Sequence, residues 1–315
     1  MKLLINESVR CFIIDSDMIQ FADDSTKQAV RDMWKRCFGD SDDYMDIYFQ
    51  YKYRNENTLI YISDGKPVAS LQMLIYSFTF HGKEIPIVYH SGLCTLPEYR
   101  GRGYMKDLIV RSYQVALERG IPLIVLVPQD EGVMSYYHKF GFAQTFESGV
   151  EVLPSLLKII EKSNGDMLRA YELFDNLYRD SDMTVQKTFE DFIAIAEEAK
   201  LFDYPNKKNL TGMARVVDVS QLFSLFVDAP NILNDKTFIF KIEDEHIERN
   251  NGVYKVSEGK VEKIKSIDAS LKKNVIELNI REITQLLLGY HTSEENDQLR
   301  SIFPKKSPSM HFMLE

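Results

Sequence analysis

The stretch Leu93-Cys94-Thr95-Leu96-Pro97-Glu98-Tyr99-Arg100-Gly101-Arg102-Gly103-Tyr104-Met105-Lys106 turns a strand-like run into a helix through Arg-Gly-Arg-Gly. A helix that opens on such a turn presents unsatisfied backbone N–H groups and the positive end of its dipole, and both attract phosphate. Glycine at 101 and 103 lets the backbone approach a ligand closely. The Gly-Lys-Ser/Thr ending of a Walker loop is absent, and so is the dinucleotide pattern with its following acidic residue. The spacing therefore points to a pyrophosphate of another kind.

Upstream, Val88 to Leu96 reads as the third strand of an antiparallel meander. The first two are Thr58 to Ile62 and Val68 to Phe80, joined by the turn Asp64-Gly65, and His81-Gly82 leads to the strand that opens at Ile85. Before them lie two amphipathic helices. One starts near Ser25 as N-cap with Gln28 closing a capping box, presents Val30, Met33, Trp34, Cys37 and Phe38 on one face and stops at Gly39; the other runs from Asp43 to Tyr53. Downstream, the helix continues to Arg119-Gly120. Ile121 to Val127 then has the unbroken apolar character of a strand buried on both faces.

Residues 151–210 are helical in pattern, and Pro205 to Asn209 interrupts them as a boundary. Beyond it, Phe238, Phe240 and Ile242 alternate with polar residues, and Asn250-Asn251-Gly252 and Glu258-Gly259 mark turns of a second antiparallel sheet covered by a helix over Ile280 to Leu288. Met310 to Glu315 is apolar almost to its end, which predicts a final strand. The chain is read as α/β (α+β), with a mixed, largely antiparallel sheet flanked by helices over 18–150, a helical connector over 151–210 and a smaller α+β unit over 211–315.

Composition narrows the function. The 315 residues are 44% hydrophobic and 27% charged, with a formal net charge of −9. That charge lacks the basic clustering that nucleic acid requires, and no run is apolar enough to span a bilayer. Cys11, Cys37 and Cys94 have neither disulfide nor zinc spacing, and Cys11-Phe12-Ile13-Ile14 is too short for the core of a signal peptide. A cytoplasmic protein with reduced thiols, no metal, no membrane and no nucleic-acid partner is expected.

Leu93 to Gly103 also resembles the coenzyme A motif of GNAT acyltransferases. Asp130-Glu131-Gly132-Val133-Met134-Ser135-Tyr136-Tyr137-His138-Lys139-Phe140-Gly141-Phe142 resembles that family's next block. Met105, where the family often has Gly or Ala, is similar to the Eis-like subgroup. Met213 to Val219, the strands to Ile264 and the segment Ile280 to Tyr290 look like that subgroup's sterol-carrier-like C-terminal domain, whose role is to pack on the catalytic one. The subgroup's full middle domain has no room in roughly 60 residues.

The resemblance implies an acyl-CoA-dependent N-acyltransferase that moves acetyl from acetyl-CoA, its co-substrate, to a primary amine on a small molecule or peptide, with a homo-oligomer as a further partner. It implies coenzyme contacts at Leu93, Cys94, Thr95, Arg100, Gly101, Arg102, Gly103, Tyr104, Met105, Lys106, Asp130 and Val133. Tyr137 matches the general acid, with a core aromatic as the alternative. The base is the C-terminal carboxylate at Glu315 by the same resemblance, with the Glu315 side chain, His90 and Glu98 as alternatives. Cys94 is either a small buried hydrophobe or, less in keeping with its strand position, an acyl-cysteine nucleophile. A non-catalytic acyl-CoA or lipid sensor is the competing function.

Overall fold

The computed structural model describes residues 18–228, 237–257, 259–266, 275–290 and 297–314. The expectations placed on residues 1–17, Glu258 and Glu315 lie outside them.

The chain opens with a short strand, β1 (Ile19–Phe21), which the sequence reading did not contain. Helix α1 (Lys27–Phe38) follows. Its start is not the predicted Ser25–Gln28 box: the Asp23 carboxylate accepts from the Thr26 amide at 2.9 Å and from the Ser25 hydroxyl at 2.7 Å, a turn that places the first residues without a side-chain cap. Gly39 ends the helix at φ 77°, as predicted. Of the expected apolar face, Val30, Met33 and Trp34 are buried, whereas Phe38 is exposed. Helix α2 (Asp42–Tyr51) has Ser41 as a true cap on the Tyr44 amide.

The meander is β2 (Thr58–Ser63), β3 (Lys66–Phe80) and β4 (Lys83–Thr95). Along β3 the period of two sorts side chains onto two faces. Leu71 and Met73 join the core beneath α3 (Tyr104–Glu118), and Leu74, Tyr76, Phe78 and Phe80 join the core beneath α1 and α2. Strand β5 (Leu123–Leu126) runs parallel to β4 and is wholly buried, as its unbroken apolar run predicts. Helix α4 (Glu131–His138) and strand β6 (Ala143–Phe146) follow.

The connector forms α5 (Leu156–Lys162), α6 (Met167–Asp175), a two-residue strand β7 (Val185–Gln186) that pairs with β3, and α7 (Phe189–Leu201), which lies against α2. Strand β8 (Gly212–Val216), read from the sequence as the opening of the C-terminal unit, sits instead between β5 and β6. The main sheet is therefore ordered β1-β2-β3-β4-β5-β8-β6.

After α8 (Val219–Val227) comes a second sheet of β9 (Phe238–Glu243), β10 (Gly252–Ser257), β11 (Lys260–Ile264) and β12 (Val275–Asn279), ordered β11-β10-β9-β12. It is mixed rather than antiparallel, because β12 runs parallel to β9. Helix α9 (Ile280–Leu287), started by a capping box between Asn279 and Glu282, covers the end of β8 and β6, and α10 (Asp297–Ile302) follows.

One side chain ties the two sheets together. Arg215 on β8 is fully buried and donates to the Phe140 carbonyl at 2.7 Å, to the Val216 carbonyl at 2.7 Å and to Asp244 Oδ1 at 2.7 Å. Its guanidinium also lies 4.2 Å from the Tyr113 ring centroid. The planar fork meets three acceptors and an aromatic face at once, which a lysine could not do.

Candidate active site

The centre of the site is an irregularity in β4. Ser70 pairs with Cys94 but Gln72 pairs with Ser91, so β4 carries one extra residue here, a bulge. Gly92 adopts φ +58°, and a Cβ there would stand 2.5 Å from Trp34 Cζ3 and 2.8 Å from Gln72 Nε2. Gly92→Ala is expected to lower stability by about 1–3 kcal/mol through overpacking and a left-handed backbone, read as a fall in the urea midpoint. A midpoint equal to wild type would mean that Trp34 does not close over the bulge.

On its other edge β4 leaves its neighbour. Only Val88 and Tyr89 pair with β5, at Ile124 and Val125, and among the described residues His90 to Thr95 continue without a strand on that side. An extended ligand with amide groups can pair along such an edge as an added strand.

The strand runs directly into the glycine turn. Gly101 and Gly103 take φ +76° and +88°, values that L side chains rarely adopt, and Gly103 caps α3 with no side-chain hydrogen bond. The first-turn amides of α3 are thus left facing outward, flanked by Arg100, Arg102 and Lys106. Arg100 Nε donates to the Thr95 carbonyl at 3.1 Å, Arg102 lies over Tyr99 at 5.0 Å, and Tyr104 stacks on Tyr61 at 4.2 Å. A pyrophosphate fits this cradle, since amide donors and the cationic side chains of Arg100, Arg102 and Lys106 outnumber the one first-turn carboxylate, Asp107.

Leu93, Tyr104, Met105 and Val133 pack around the same core as Tyr137. The fold therefore gathers these predicted residues on the α3 face, although they are separated in sequence. Cys94 belongs to the opposite face. The Asp130 side chain is occupied in capping α4, accepting from the Val133 amide at 2.9 Å.

Tyr137 is buried, with its ring between Tyr136 at 5.7 Å and Phe142 at 5.8 Å. Its hydroxyl makes no hydrogen bond among the described residues. Burial, reinforced by Tyr136, holds the phenol well above the ordinary tyrosine range, so it stays protonated at neutral pH.

The alternative bases fare differently. His90 is buried against Phe142 with neither ring nitrogen partnered among the described residues, and desolvation pulls its pKa down to about 3, so it stays neutral and binds protons poorly. Glu98 is held by Arg36 through contacts of 3.0 and 3.2 Å on the surface. The Cys94 thiol is pushed up by neighbouring Cys37 and by burial, so it stays protonated until a base takes its proton.

The segment before Glu315 is not the predicted strand. Ser309 bridges Thr184, the Leu210 amide donates to the Met310 carbonyl at 3.4 Å, and His311 stacks on Tyr178 at 3.6 Å. Met313 and Leu314 are buried in the same core as Trp34, Tyr89 and Cys94. Packing, with Phe312 at φ +47°, replaces ladder pairing because side-chain burial rather than a free sheet edge holds the tail.

The other face of the bulge escaped the sequence reading. Tyr48 donates to Ser91 Oγ at 2.8 Å, and both amide atoms of Gln72 and the hydroxyl of Tyr44 are buried without a partner. A lone glycine inside a strand pattern was the available signal.

Residues 18–145 match the acetyltransferase (GNAT) domain model, and residues 224–309 match the sterol carrier protein domain model. No curated protein sequence matches the chain. Among solved structures, the fold is similar to a GCN5-related N-acetyltransferase from Anabaena variabilis, at TM-score 0.68 and 16% identity over 92% of this chain and 98% of that one. It is also similar to a conserved protein from Enterococcus faecalis, a probable N-acyltransferase (TM-score 0.67, 13% identity, the same coverage). Eis1 from Mycobacterium abscessus gives TM-score 0.60 and 13% identity, covering 92% and 98% of the two chains. At these identities the likeness establishes the fold, a mixed sheet flanked by helices. The family models assign residues 18–145 to a GNAT acetyltransferase domain and residues 224–309 to a sterol-carrier-like domain.

Proposed function

We propose that the protein transfers an acetyl group from acetyl-CoA to a primary amine by direct attack. The observation that carries this is the open edge of β4 from His90 to Thr95, which leads into the anion cradle at one end and lies in the fold beside the Tyr137 cluster. The pantetheine amides would pair with that edge, and the pyrophosphate would sit on the first turn of α3.

In the reaction the amine nitrogen bonds to the thioester carbon, the C–S bond breaks and the sulfur departs as thiolate. Tyr137 returns a proton to that thiolate, and the amine's proton passes to the C-terminal carboxylate. Backbone N–H groups around Leu93 to Thr95 would polarise the carbonyl. Leu314 and Tyr89 are buried in one core, on the opposite side of the sheet from Tyr137, which supports an amine and its base reaching the thioester from that side.

Three experiments test this. Titration calorimetry with acetyl-CoA should show binding, and a screen of aminoglycosides, polyamines, lysine peptides and cell-wall amines should show free thiol release with at least one class. Binding without turnover would instead favour a sensor. Appending one glycine after Glu315 displaces the terminal carboxylate and should reduce kcat about a hundredfold, the usual cost of a misplaced catalytic group. An unchanged kcat would place the base elsewhere.

A further inference from the structure

Cys37 on α1 and Cys94 on β4, 57 positions apart in the sequence, pack into the same core where α1 lies against β4. The Cys37 thiol donates to the Thr95 carbonyl across 3.5 Å, and that same carbonyl accepts Arg100 Nε at 3.1 Å. Cys94 directly precedes Thr95, and its Sγ lies 3.2 Å from Ser70 Oγ. Two thiols and a guanidinium therefore converge at the upstream lip of the phosphate cradle.

The thiols differ in setting. Cys37 is half-buried and Cys94 is 4% exposed. Neighbouring Cys94, then Arg100 and Arg36, lower the Cys37 pKa against its burial; Cys37 and burial raise that of Cys94. An accessible thiol that ionises readily beside a covered one that does not is the division between an attacking and a resolving cysteine.

We propose that this pair is a thiol–disulfide exchange site for disulfides bearing a phosphorylated headgroup, the class that includes oxidised coenzyme A. The preference for that headgroup rests on the coenzyme site described above. The Cys37 thiolate attacks one sulfur of R–S–S–R, the S–S bond breaks, and the first RS⁻ takes the proton that Cys37 had given to solvent. Cys94 then attacks the Cys37 sulfur and releases the second RS⁻, which takes the Cys94 proton. Two protein thiols are oxidised to one disulfide, and R–S–S–R is reduced to two RSH.

The test uses the full chain in a Cys11→Ala background, with oxidised coenzyme A and with neutral 2-hydroxyethyl disulfide. Each rate is normalised to that disulfide's rate with N-acetylcysteine, and products are followed by non-reducing intact mass. Oxidised coenzyme A is expected to react about tenfold faster than the neutral disulfide, the scale of electrostatic steering by a cationic site. The parent should lose two hydrogens and release two coenzyme thiols. Cys94→Ala should stop at a coenzyme adduct on Cys37, and Cys37→Ala should lose the fast reaction. Where either alanine variant misfolds by circular dichroism, serine replaces it. Equal normalised rates, a Cys37→Ala variant as fast as the parent, or a Cys94→Ala variant that still releases two thiols overturns the proposal. Acetyl-CoA calorimetry on the same preparation separates the two failures: binding without rate preference defeats the exchange site alone, and absence of both defeats the coenzyme reading with it.

Discussion

Tyr137→Phe is expected to lower kcat about a thousandfold, within the ~10²–10⁴ range of general acid catalysis, while acetyl-CoA affinity and folding stability stay near wild type. The ring is what packs, between Tyr136 and Phe142, and phenylalanine keeps it. The hydroxyl has no protein partner among the described residues, so its removal leaves no buried group unsatisfied. Activity and stability should therefore separate cleanly. Steady-state kinetics with the best acceptor from the amine screen, paired with calorimetry, reads the effect. A variant with wild-type kcat would remove Tyr137 from the chemistry and leave it as a core aromatic.

Arg215→Met is expected to cost about 3–5 kcal/mol, the penalty for leaving a buried charge without its partner. Asp244 is as fully buried as Arg215. It keeps the His246 amide at 2.9 Å and Asn250 Nδ2 at 2.9 Å, but it loses its countercharge. The Phe140 carbonyl, at the exit of α4, would retain the Tyr113 hydroxyl at 2.8 Å and lose Arg215. Adding Asp244→Asn removes the second charge and should restore part of the loss, so the double variant is more stable than additivity predicts. Urea unfolding of the four proteins of this cycle measures both effects. Strict additivity would show that the pair is not coupled, and a loss below about 1 kcal/mol would place it among exposed ion pairs. Because Arg215 grips the exit of the Tyr137 helix, kcat should fall in Arg215→Met even under conditions where it is folded.

The contrast between these residues shows what was legible in the sequence. Tyr137 stands in a local block whose spacing is visible along the chain. Arg215 stands in an apolar run, Met213 to Val219, and nothing nearby marks it as a joint between sheets. Its partners at Phe140 and Asp244 come from 75 and 29 positions away. The same holds for β8, whose place between β5 and β6 is a choice of partner that strand periodicity does not encode. The two-residue β7 is too short to carry a period at all.

Local chemistry along the chain was enough for the meander, the glycine cradle, the helix that follows it and the buried β5, since left-handed glycines, helix starts and alternation act over a few residues. The sequence by itself thus determined a glycine turn at Arg100 to Lys106 that opens a helix, and the strand that feeds it. Only the tertiary structure decided that Asp130 caps α4, that His90 is held neutral, that Cys37 meets Cys94, and that the tail is held by packing rather than by a strand. Each of those depends on desolvation and on neighbours brought in from distant positions, and burial is a property of the folded whole.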